Sequence, residues 1–222
     1  MAVQCETSPA FPSDEVLGIA IGTPHDPSQR HVGFIYQLNG AGPRLAHLQW
    51  HHRATDEPLP SGYCWGASAL DSINKAFLAA WVALLQKNSK AVPYGIEYDD
   101  HREYFDNEAN YVPQPVGRGL TCATFVLAVY SRTGYPILDA AGWPSNRAGD
   151  AEWQRHIIDL LRKNGASSEH VAAVAEDVGC VRFRPEEVVA GAISADVPID
   201  FATADTLAKE ILSDIGALNR KH

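Results

Sequence analysis

This 222-residue chain has no apolar run of about 18 residues, so no membrane-spanning helix is expected. Basic residues are in the minority, 18 Lys and Arg against 27 Asp and Glu, which leaves a net charge of -9 at pH 7. That balance argues against nucleic acid or an anionic membrane as the main partner. Cysteine is scarce and scattered: Cys5, Cys64, Cys122 and Cys180 form no C-x-x-C pair. The spacing speaks against a zinc knuckle and against a disulfide scaffold, and makes a reduced compartment the default. Residues 1–14 lack the basic start and apolar core of a secretory signal. The expected location is therefore the cytoplasm, although export by a signal-independent route would leave no trace in the sequence. There is no internal repeat and no low-complexity tract.

What is present is an ordinary globular composition, 45% hydrophobic and 20% charged. The length suits one domain with a sizeable core, or a core plus an extension. The most informative stretch runs from Gly117 to Gly134. Two glycines, Gly117 and Gly119, loosen the approach, and Thr121 is a candidate helix N-cap. From Cys122 onward, Phe125, Val126, Val129 and Tyr130 recur at the spacing of one buried helix face. Gly134 suits the left-handed residue that ends a helix. Cys122 thus falls in the first turn, where free N–H groups and the helix dipole favour an anion such as a thiolate. The competing reading is a buried structural cysteine. A partner base decides between them.

Around that stretch the periodicities alternate between strand and helix, which makes the chain α+β. Strands are expected at 16–21, 31–38 and 44–50, the last two joined by the turn Asn39-Gly40-Ala41-Gly42-Pro43 as an antiparallel hairpin. Residues 56–66, with two prolines and two glycines, read as a connector. Residues 68–88 read as a core helix with Ile73, Phe77, Trp81, Leu84 and Leu85 on its buried face. The acidic and aromatic segment 97–110 reads as an exposed loop and a candidate cleft wall. Four further helices are expected at 152–164, 167–178, 186–192 (entered through Pro185) and 203–218. This tail carries no catalytic grouping and reads as a cover on the core or a partner-binding module.

Cysteine nucleophiles need an imidazole, and the imidazole needs a third polar group to fix its tautomer. The hairpin offers His31, His47, Gln49 and His51. Surface histidines are the plainer reading of His31 and His47, and His51 and His52 look solvent-facing at a strand end. A rival reading is metal. If the third strand runs on, His47 and His51 share a face, and with His31 they would form an open three-histidine zinc site. No H-E-x-x-H or comparable motif accompanies it.

The order of these features carries a resemblance. A strand opening His31-Val-Gly-Phe-Ile-Tyr, a second containing Ala-His47-Leu, a long helix, Pro-Tyr94-Gly, and then Thr121-Cys122-Ala-Thr-Phe-Val resemble the circularly permuted branch of NlpC-type papain-like cysteine peptidases. That branch includes the lecithin:retinol acyltransferase-like proteins. The resemblance covers residues 16–138, with Thr121 where the family has Asn and a longer turn between the histidine strands.

It implies a permuted papain-like core at 1–138, an antiparallel sheet packed on the cysteine helix, followed by a C-terminal helical extension at 139–222. Cys122 is then the nucleophile, His31 the general base and His47 its orienting partner, with Gln49 or His51 as alternatives for that last role. Gln49, Tyr94 and Thr121 are implied as substrate-binding residues. No metal and no cofactor is called for. The implied activity is that of a soluble bacterial thiol hydrolase, a peptidase or amidase acting on a peptide, amide or other acyl substrate through an acyl-enzyme. An acyltransferase or thioesterase is the alternative, or an inactive domain whose helical tail binds a protein partner.

Overall fold

A computed structural model describes residues 11–23 and 29–219, with side chains to 216. Cys5 lies outside the described residues. The fold is α+β: five strands in one antiparallel sheet, ordered β4-β3-β2-β1-β5, with helices packed against it. The strands are β1 (Leu17–Gly22), β2 (His31–Tyr36), β3 (Arg44–Trp50), β4 (Arg53–Pro58) and β5 (Tyr63–Ala67). The helices are α1 (Ser72–Asn88), α2 (Cys122–Arg132), α3 (Asp150–Lys163), α4 (Ser168–Glu176), α5 (Pro185–Ile193) and α6 (Phe201–Asn219). The expected antiparallel hairpin of β2 and β3 forms, with Phe34 paired to Ala46 and Tyr36 to Arg44.

The sheet buries both faces unequally, and alternation along each strand sorts the side chains. Val32, Phe34 and Tyr36 of β2 join Ala46 and Leu48 of β3 in the main core with the helices. Ile35 and Leu45, one position out of phase, pack with Phe11, Ala20 and Trp65 in a smaller cluster on the opposite face.

Several expectations change. The connector 56–66 contains the second half of β4 and most of β5. Both are edge strands, and β4 (Arg-Ala-Thr-Asp-Glu-Pro) carries the charges and terminal proline that edges tolerate, so it lacks the apolar alternation of an inner strand. In α1 the apolar arc is wider than the buried one. Leu78, Trp81, Val82 and Leu85 face the core, while Ile73 and Phe77 are 78% and 49% exposed. The loop 97–110 is not an exposed wall: Tyr104, Phe105 and Ala109 are buried, with Phe105 edge-on to Trp81 and Phe125. Cys64 is disulfide-bonded, which its unpaired spacing did not suggest, whereas Cys122 and Cys180 are free.

The helical segment after residue 138 is anchored through α5. Every residue of α5 is buried, and it packs against β1, β2, β5, α2 and α6. One hydrophobic cluster runs from Leu17 through α2 and α5 to Ile215.

The glycines before α2 act through space rather than flexibility. Backbone of residues 93–95 lies against 119–120, with Leu120 N–H donating to Pro93 C=O at 3.0 Å and Gly95 N–H to Leu120 C=O at 3.3 Å. A Cβ on Gly119 would sit 2.3 Å from the Pro93 oxygen, and one on Gly95 2.6 Å from the Gly119 nitrogen. Gly119→Ala should therefore cost about 1–3 kcal/mol by overpacking, lowering the unfolding midpoint by roughly 2–4 °C per kcal/mol. Gly142→Ala, which meets nothing within 4 Å, should be nearly silent. Calorimetry on the two variants checks this; equal midpoints would contradict it.

Candidate active site

Thr121 caps α2 as expected. Its backbone is extended (φ -87°, ψ 174°), and its hydroxyl accepts from Thr124 N–H at 3.1 Å. Thr124 returns the interaction, its Oγ1 accepting from Thr121 N–H at 2.7 Å, a capping box with threonine in place of the usual Glu or Gln. Cys122 is the first helical residue. The helix it opens is buried on all sides from Cys122 to Tyr130, not on one face, in keeping with a run that carries no charge.

The Cys122 sulfur is 6% exposed as part of its residue and faces a cleft of about 590 Å³. Burial pushes the thiol above its ordinary pKa. The N–H groups of Val32, Ala123 and Cys122 itself, and the Arg182 cation, pull it down, but desolvation is the largest effect. The first-turn position thus does not by itself give a thiolate. This corrects the expectation from the helix dipole.

His31, at the start of β2, lines the same cleft, next in the chain to the Val32 N–H that reaches the sulfur. Behind it stands His47, buried, with Nδ1 2.6 Å from His31 Nε2 and the rings edge-to-face at 4.8 Å. His47 Nε2 lies 2.7 Å from the Thr55 hydroxyl and 3.2 Å from a Glu57 carboxylate oxygen, both on β4. Gly33 makes this crossing feasible. A Cβ there would meet the His47 Cβ at 2.7 Å, so the missing side chain leaves room for the imidazole to approach His31. Tyr63 of β5 completes the group, 6.5 Å from His31 ring to ring and close enough to Cys122 to feel its charge.

Of the other residues singled out from sequence, Gln49, Tyr94 and Thr121 all line the cleft. His51 goes elsewhere. It packs on His170 of α4 (4.6 Å between rings) rather than facing solvent, and its Nδ1 accepts the Tyr94 N–H at 3.1 Å. The set His31, His47 and His51 is therefore not assembled, and among the described residues no group of three His, Cys, Asp or Glu is placed to hold a metal.

Tyr94 is held from both sides. His170 Nδ1 accepts the Gly117 N–H at 3.3 Å, which leaves the proton on Nε2 to donate to the Tyr94 C=O at 2.8 Å. Its phenol, kept protonated by burial, accepts from the Cys122 N–H. The ring leans on Trp50 at 4.9 Å. Sequence reading missed Thr55, Glu57, Tyr63, His170 and Arg182, because each reaches the site through long-range pairing and none sits in a local motif.

The remaining cleft wall comes from the C-terminal helices: Trp153, Ile157 and Leu160 of α3, then Arg182, Phe183 and Pro185. Trp153 Nε1 donates to Gln29 at 2.9 Å, closing the rim across the chain.

Burial, then the neighbouring His52 and His170, push the His51 pKa down to about 4. The unfolded chain takes up that proton near pH 6.5, so the stability His51 contributes is present above 6.5 and is lost as pH falls towards 4. Between pH 7 and 5 the unfolding midpoint should drop more in wild type than in His51→Gln, which offers Tyr94 an acceptor that does not titrate. Parallel pH profiles in scanning calorimetry would contradict the assignment.

No family model matches this chain, and no curated protein or solved structure matches it either.

Proposed function

We propose that the protein is a thiol-dependent acyl hydrolase, a peptidase or amidase, with Cys122 as nucleophile and His31 as general base. The observation that carries this reading is the 2.6 Å contact of His31 with the buried His47, in a cleft that His31 and Cys122 both line. An unpaired surface histidine has no need of such a relay, whereas a base that must present one nitrogen to a thiol does. The order of the elements, histidine strands before the cysteine helix, supports the resemblance to a permuted papain-like core.

Because burial keeps the resting thiol protonated, proton transfer to His31 accompanies attack. The sulfur adds to the acyl carbon while its proton passes to His31. His31 then delivers that proton to the departing amine or alcohol, which leaves an acyl-enzyme. Water, deprotonated by His31, releases the acid and restores the thiol. His47 orients His31, with Thr55 and Glu57 behind it. The Tyr94 hydroxyl donates to the developing oxyanion, its proton free because its oxygen accepts from the Cys122 N–H. Thr121 fixes the helix start, which holds the Cys122 N–H on the Tyr94 oxygen.

Transfer of the acyl group to an alcohol or thiol instead of water, or its release from a thioester, is the second reading. The apolar wall of Trp153, Ile157, Leu160 and Phe183 favours it, since it suits a fatty or aromatic acyl group. The substrate in either case is an acyl compound, and no cofactor is called for. As to location, the Cys64 disulfide supports an oxidising compartment over the cytoplasmic default.

Iodoacetamide labelling of each free cysteine against pH tests the pair. Cys180, whose thiol is pushed up to about 12 mainly by burial, serves as the slow reference. At pH 7 Cys122 should label faster than Cys180, and His31→Ala should slow it by roughly 10²-fold or more, with the gap closing at high pH. A Cys122 that is inert, or that labels equally in His31→Ala, would sink the enzymatic reading and favour an inactive partner-binding domain.

A further inference from the structure

The cleft departs from the rest of the molecule in charge. The chain as a whole carries -9, yet the described cleft residues include three arginines and no aspartate or glutamate. Arg30 precedes β2, Arg53 opens β4, and Arg182 lies between α4 and α5, so three distant segments deliver positive charge to one place.

These cations are incompletely neutralised. Arg53 is exposed, and its side chain engages in no ion pair among the described residues. Arg30 has only a 3.7 Å approach to Glu186. Arg182 donates from Nη1 to Asp150 at 3.2 Å, but Asp150 also serves Arg184 at 2.9 Å and Arg147 at 3.0 Å, Arg147 having Glu187 as a second partner. The Arg182 Nε is buried without a hydrogen-bond partner, and its guanidinium carbon sits over the Trp153 ring, 3.8 Å from the centroid. That stack fixes the cation at the cleft wall, near enough to Cys122 and Tyr94 for its charge to be felt at both. Beside it Leu160 and Phe183 supply apolar surface.

We infer that the cleft selects an acyl substrate bearing a carboxylate next to an apolar chain, with Arg182 and Arg53 holding the carboxylate. The acyl chemistry rests on the thiol-hydrolase reading; the sign of the ligand's charge does not. A carboxylate is what a planar guanidinium recognises through paired N–H donors, and the water-poor wall strengthens that attraction. A cationic substrate would face three arginines and no carboxylate among the cleft-lining residues.

Paired alkylating reagents test the charge directly, using the full chain. Iodoacetate and iodoacetamide both form an S–C bond to Cys122 and expel iodide, the thiol proton going to His31 or solvent. They differ in a carboxylate against a neutral amide. The ratio of their rates at Cys122, read by mass spectrometry and divided by the ratio for 2-mercaptoethanol, should be about tenfold in favour of the anion. It should fall in Arg182→Gln, in Arg53→Gln, and in about 1 M salt. Arg53 is a surface residue, so its variant keeps the test available if Arg182→Gln fails to fold. A normalised ratio at or below one, a ratio unmoved in Arg53→Gln, or no labelling by either reagent overturns the inference. Loss of the His31 effect with the ratio intact overturns only the hydrolase reading.

Discussion

The buried thiol at the start of α2 is the constraint around which the site is arranged. A sulfur shielded from water resists ionisation, and three N–H groups and a distant guanidinium offset that resistance only in part. Everything near it can be understood as a response. A histidine, His31, stands on the adjoining strand and lines the same cleft. That histidine presents one nitrogen because His47 occupies the other side of its ring, and His47 is itself seated by Thr55 and Glu57 of the edge strand. A chain of short polar contacts thus runs across three strands towards one sulfur.

A second chain of contacts crosses the sheet–helix boundary. The peptide of Tyr94 is clamped between His51 of the loop after β3 and His170 of α4, and its backbone neighbours press on Gly119 at the distance of closest approach. These contacts fix the Tyr94 backbone, while its buried phenol accepts from the Cys122 N–H and its ring leans on Trp50. They also mean that helices far along the sequence take part in the geometry at Cys122.

What was legible in the sequence is what local chemistry dictates. Thr121 capping, the run from Cys122 and the left-handed Gly134 are short-range signals, and they placed α2 within a residue. The β2–β3 hairpin was legible for the same reason, through its turn. What escaped had non-local causes. β4 and β5 are edge strands whose composition reads as connector, and the acidic loop around Tyr104 and Phe105 buries its aromatic half while keeping its charges out. In α1, Ile73 and Phe77 fit the helical period, but that period cannot tell which half of a broad apolar arc meets the sheet. The residues Cys122, His31, His47, Gln49, Tyr94 and Thr121 were legible as candidates; that His47, rather than Gln49 or His51, sits on His31 became visible only with the strands in register.

The cleft wall formed by α3 and the segment before α5 has a consequence for how the protein is made. A ribosome delivers β2, β3 and α2 well before residues 153–185, and α5, which packs beside α2 against β1, β2 and β5, comes later still. Until α5 docks, the apolar face of the sheet and the sulfur at the head of α2 stand open to water and to other chains. The nascent protein therefore passes through an interval in which α2 lacks its α5 neighbour and its cleft has one side only. Chaperone demand and stray thiol chemistry both belong to that interval.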